Sequence, residues 1–167
     1  CLSGLNKELC HHAAGNYRFA TAVCGVLDKR DFSIRLAGAG HPPSLLLHAG
    51  EMRYLESQGP LLGVFAEAEY TEETVMLVPG ATLLLYTDGF ELAFPATDEP
   101  IQDRRVAPRE YLKHMGLLDS ASEVGVREGM ERLAQAIAGQ EGSLHQRDDV
   151  TALAIRRLHA AQMRKAA

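Results

Sequence analysis

A chain of 167 residues, 46% hydrophobic and 23% charged, is long enough for one core and is composed like a globular protein, not a disordered one. Its net charge of −5, with no basic stripe interleaved with aromatics, argues against nucleic acid as a partner, because phosphate neutralisation needs surplus Lys and Arg. A membrane span is not expected either, since Gly, Thr or Asp breaks the longest apolar runs within about ten residues.

Cys1, Cys10 and Cys24 have neither CxxC spacing nor a metal-ligand pattern, and no signal sequence is evident. Both features suit a reducing, cytoplasmic setting. The chain opens at Cys1 and not at Met, so a targeting segment or an upstream domain could precede it.

In chain order, "LSGLNKELCHHA" spaces Leu2, Leu5 and Leu9 as the last turns of an amphipathic helix, starting as though cut within the element. "RFATAVCGVLDKRDFSIRLAGAG" reads as two strands turning at "DKRD", and "PSLLLHAGEMRYLES" as another pair turning at Ala49-Gly50. "GPLLGVF" is a Gly-bounded loop with an apolar body. A further strand ends near Val78, Pro79-Gly80 makes a turn, and a strand follows from Ala81 to Thr87. Ala96 to Pro108 is polar and bears proline, which predicts a surface loop. Ser120 to Ala138 predicts a helix with Val124, Met130, Leu133 and Ile137 on one stripe and Ser120 or Ser122 as cap. "DDVTALAIRRL" closes with a strand, and a flexible tail is expected over 159–167. The order suits an α+β fold, antiparallel sheet covered by helices, and not alternating βαβ units.

Two acidic corners stand out. Asp88 follows the apolar run "LLLYT" directly, where an ionised carboxylate needs compensation. It either caps a helix over "GFELAF" or meets a cation. Asp148 and Asp149 stand directly before the closing strand. Carboxylates mounted on rigid strand ends can be aimed at one point, and oxygen-only acidic sets suit hard cations such as Mg²⁺ or Mn²⁺. Asp is also common at strand boundaries for turn reasons alone.

The blocks "FATAVCGVLD", "AGAGHPPSLLL", "GPLLGV", "LLLYTDG" and "DDVTALAIR" occur in that order across roughly Leu5 to Arg157. Together they resemble the catalytic domain of bacterial PPM-type, metal-dependent serine/threonine phosphatases, in the branch named after stage II sporulation protein E. The resemblance implies a four-layer α-β-β-α sandwich of antiparallel sheets over residues 1–158, with its N-terminal part missing. It also implies two divalent metals, Mn²⁺ or Mg²⁺, with Asp88 and Asp148 as ligands, Asp149 in support and Gly89 letting the backbone pass close to the site. No further catalytic side chain is implied. A metal-activated water would attack the phosphorus of phosphoserine or phosphothreonine. The implied partners are a phosphoprotein substrate, such as an anti-sigma-factor antagonist, and an upstream receiver or sensor domain.

The sequence departs from the family pattern in two ways. The first acidic motif, Gly-Asp-x-x-Gly-His-Gly, does not occur in this chain, so these residues alone are expected to hold metal weakly. The family glutamate after "TDG" falls on Leu92, with Glu91 one step earlier, a rotation of about 100° on a helix. The alternative function is a non-catalytic module that binds a regulatory protein. Elsewhere, His11 and His12 read as exposed helix-end residues, and His41 as ordering the turn before Pro42-Pro43 through bonds to backbone. Thr21, Thr87 and Thr151 read as strand residues, with the Thr87 hydroxyl able to support Asp88. Arg104, Arg105 and Arg109 read as solvated, and Met52, Met76, Met115 and Met130 as core filler.

Overall fold

The computed structural model describes residues 1–12, 18–56, 59–89, 126–138 and 149–159. Among them are two helices, α1 (Leu2–His12) and α2 (Val126–Ala138). Seven strands accompany them: β1 (Ala22–Leu27), β2 (Ser33–Ala39), β3 (Ser44–His48), β4 (Glu51–Leu55), β5 (Glu72–Met76), β6 (Thr82–Tyr86) and β7 (Ala152–Arg156). They form two antiparallel sheets, one ordered β1-β2-β5 and the other β4-β3-β6-β7. This is the α+β class that the element order predicts. The chain divides into two compact units, Cys1–Ser44 with Tyr54–Val78, and Leu45–Arg53 with Pro79–Ala167.

In the first unit, β2 alternates as a half-buried strand should, with Ile34 and Leu36 inside and Arg35 out. It pairs with β1 from Ala22↔Ala39 to Leu27↔Ile34 and with β5 from Ser33↔Met76 to Ala37↔Glu72. The predicted turn at "DKRD" is tied by its own side chains. The main-chain N–H of Arg30 donates to Asp28 Oδ1 at 2.9 Å, and that of Ser33 donates to Asp31 Oδ1 at 2.8 Å. Hydrogen bonds from the Arg30 side chain and main chain hold the Asp28 carboxyl below its ordinary range.

Helix α1 packs on this sheet in a cluster of Leu2, Ala39 and Leu62, bordered by Leu9, Cys24 and Tyr70. Its inner line differs from the Leu2–Leu5–Leu9 reading, because Leu5 is 52% exposed while Asn6 is fully buried. Both lines obey helical spacing, and the structure selects the one with the polar residue. Asn6 is compensated there. Its Nδ2 donates to the Phe65 carbonyl at 2.8 Å, and its Oδ1 accepts from the Gly63 N–H at 2.8 Å. The segment "GPLLGV" is indeed a loop, joined to the chain before β1 through the Ala20↔Leu62 bridge.

In the second unit, β6 lies between β3 and β7, and all of it but Leu85 is buried. Leu84 and Tyr86 join Leu45, Leu47 and Leu133 in one cluster, with Met130 and Ile137 of α2 packed against it. The predicted stripe on α2 is thus observed for Met130, Leu133 and Ile137. The turn between β3 and β4 falls on Ala49 and Gly50, with φ of 52° and 81°. Two left-handed residues in succession are what a two-residue hairpin requires, and Asn-Gly suits them better than Ala-Gly. Ala49 is exposed, so Ala49→Asn should raise stability by about 0.5–1 kcal/mol. A urea titration checks this: the midpoint should rise with the slope unchanged, and a lowered midpoint would contradict the turn assignment.

The turn at Pro79-Gly80 is present, but the strands on either side of it belong to different sheets, so it does not make a hairpin. The reading of methionines as core filler holds for Met130 and is corrected for Met52 and Met76, which are 38% and 52% exposed on β4 and β5. Met76 stands on an outward-facing position of β5, and Met52 on a β4 that is exposed along all but its last residue. The loop from Ala96 to Pro108, the caps Ser120 and Ser122, Val124, Met115 and, apart from His159, the tail lie outside the described residues. Among the described residues no helix is long and apolar enough to cross a membrane, and all three cysteines are free.

Candidate functional site

The acidic corners meet because β6 and β7 are neighbours. The ladder runs antiparallel from Thr82↔Arg156 to Tyr86↔Ala152, so the chain leaving β6 lies beside the chain entering β7. Past the last pair, the Thr87 N–H donates to the Thr151 carbonyl at 3.0 Å. The Thr87 hydroxyl then takes over. It accepts from the Thr151 N–H at 3.0 Å and donates to the Asp149 carbonyl at 3.1 Å. Two residues on, Gly89 is buried against the same carbonyl. A Cβ built there would stand 2.5 Å from the Asp149 oxygen and 3.3 Å from Val150 Cγ2. No side chain fits in that space.

Asp88 and Asp149 are both exposed at this corner, one at the exit of β6 and one at the entry of β7. Asp148 lies outside the described residues, as do Glu91 and Leu92 of the "GFELAF" stretch and the arginines Arg104, Arg105 and Arg109. What the structure brings together is therefore the Thr87-Asp88-Gly89 segment and the Asp149-Val150-Thr151 segment. Among the described residues no group of three or more His, Cys, Asp or Glu is gathered for a metal. The donors that are present fit a hard cation in kind. Both are solvent-facing carboxylates on rigid strand ends, with a glycine where the main chains touch.

Thr87 carries more than the sequence reading gave it. Its hydroxyl ties it to the main chain of the neighbouring segment, where a strand residue with a hydroxyl able to support Asp88 was the expectation. Spacing alone could not reveal this, because its partners are 62 and 64 positions away. His41 lies with its Nδ1 3.4 Å from the Thr21 hydroxyl. His11 and His12 are exposed at the end of α1, edge-on to each other, with His12 3.6 Å from Glu8. They are surface residues, as read.

The two antiparallel sheets match the PPM phosphatase fold. The manganese-presoaked phosphatase domain of the cell fate determinant SpoIIE from Bacillus subtilis superposes with a TM-score of 0.59 at 15% identity, over 83% of this chain and 57% of that one. The family model for stage II sporulation protein E (SpoIIE) matches residues 1–158, and the chain belongs to that family of PPM-type serine/threonine phosphatases. It is 27% identical over 142 residues to Protein IcfG of Synechocystis sp., covering 83% of this chain and 21% of that protein. It is 29% identical over 107 residues to Phosphoserine phosphatase RsbP of Bacillus subtilis, covering 58% and 27%. The chain thus spans 21% and 27% of the length of these two relatives.

Proposed function

We propose that the domain, in its complete form, is a metal-dependent phosphatase that removes phosphate from serine or threonine of a bacterial signalling protein in the cytoplasm. Asp88 and Asp148 would hold Mn²⁺ or Mg²⁺, with Asp149 bracing the corner. An anti-sigma-factor antagonist is the substrate type that the family suggests, with an upstream receiver or sensor domain as the source of control. The bound metal supplies an acidified water and neutralises charge on the phosphoryl oxygens. The residues of this chain supply the frame: β6 and β7 fix the two acidic segments side by side, and Gly89 lets them touch.

The observation that carries this reading is the junction of Thr87 with Asp149 and Thr151. It brings two acidic segments, distant in sequence, to one sheet end in a chain of phosphatase family. The test is Mn²⁺-dependent hydrolysis of p-nitrophenyl phosphate by the full-length protein. Asp88→Asn keeps the shape of the side chain and removes its charge, and should lower the rate by at least about a hundredfold. Activity unchanged by that substitution removes Asp88 from the mechanism.

A further inference from the structure

We infer that Thr87 is a positioning residue of the acidic corner, setting through its hydroxyl the spacing between the Asp88 segment and the segment from Asp149 to Thr151. This rests on the phosphatase reading above and adds a residue to it. A hydroxyl has one proton to give and lone pairs to accept with, and here both capacities are used on main-chain groups of one neighbouring segment. The Thr151 N–H would otherwise seek a main-chain carbonyl, as it does within a ladder. It donates to a side-chain oxygen instead, so that of the Thr87–Thr151 pair only the Thr87 N–H bond to the Thr151 carbonyl is main chain, and the hydroxyl ties the Asp149 carbonyl to the residue before Asp88. The methyl group of threonine has no part in either bond. Serine can reproduce both bonds, and valine, with the same shape, can make neither.

The consequence is specific. Thr87→Val should leave β6 and β7 paired but release the Asp149 carbonyl and the Thr151 N–H, so that the two acidic segments no longer hold one separation. Loss of a group that orients metal ligands typically weakens metal binding by about 10–100-fold, and that is the change expected in Mn²⁺ affinity. Thr87→Ser should remain close to the parent.

The experiment measures Mn²⁺ dissociation constants by titration calorimetry on the full-length protein and its Thr87→Val, Thr87→Ser and Ile155→Val variants. It is paired with hydrogen exchange of the Thr151 amide in metal-free protein. The expected pattern is faster exchange and weaker Mn²⁺ binding in Thr87→Val, with both restored by serine. Ile155→Val, a modest packing loss on the same strand, serves as the control and should leave affinity unmoved. The inference is overturned if Thr87→Val binds Mn²⁺ as tightly as the parent, if serine weakens binding as far as valine does, or if Ile155→Val weakens it equally. Failure of the underlying phosphatase reading shows differently: the parent itself then binds no Mn²⁺, or Asp88→Asn binds it unchanged.

Discussion

Gly89→Ala is expected to reduce Mn²⁺-dependent activity of the full-length protein by about a hundredfold and to lower its melting temperature. The new methyl would stand 2.5 Å from the Asp149 carbonyl oxygen, and that neighbour is main chain, which cannot swing aside. Relief requires the two segments to part by something on the order of an ångström, and a displacement of that size near reacting groups costs about two powers of ten in rate. Overpacking of this kind destabilises by about 1–3 kcal/mol. The paired measurements are steady-state kinetics and a thermal melt. Unchanged values in both would mean that the main chains at residues 89 and 149 are further apart in solution than the structure has them.

The second large effect is expected in the first unit. Asn6→Ala should cost about 1–3 kcal/mol, because it strands the Gly63 N–H, worth about that much when left without a partner, while the Phe65 carbonyl keeps the Ala68 N–H. Asn6→Leu should not recover the loss, since apolar volume cannot replace a donor and an acceptor. Asn6→Asp offers a sharper test. Its carboxylate would set an oxygen against the Phe65 carbonyl where Nδ2 now donates, so the buried group favours its protonated form and its folded pKa rises above the unfolded value of about 4. The deficit should then be smallest below that value and should grow as pH rises through the folded pKa. Denaturant midpoints across that range check it, and a deficit independent of pH would place the side chain in contact with water.

Much of the architecture was legible because it is local. Ile34 and Leu36 alternate with Arg35, the Ala49-Gly50 pair marks its own turn, and the run from Thr82 to Tyr86 is apolar enough to declare a central strand. Sheet membership was less legible. Nothing around Pro79-Gly80 states that the strands on either side join different sheets, since that is decided by partners elsewhere in the chain. Asn6 illustrates the same limit: a polar residue on a helix reads as solvent-facing until Gly63 and Phe65 are seen beside it. At the site, the strand-end positions of Asp88 and Asp149 followed from pattern, while Asp148 lies outside the described residues. The hydroxyl of Thr87 hid behind a sufficient explanation, because a β-branched residue at a strand end raises no question.

The junction at Thr87 has a corollary for the long excursion between its two sides. The polypeptide departs at Gly89 and is back in contact with the same point at Asp149, so the excursion is already closed at its base. For a flexible segment closed at its base, doubling the number of residues costs only about 0.6 kcal/mol of closure entropy. A flexible insertion between those endpoints that spares α2 and its Leu133 anchor is therefore expected to cost little stability. The frame carrying the acids would stay as it is while the stretch it brackets serves as an exchangeable cassette.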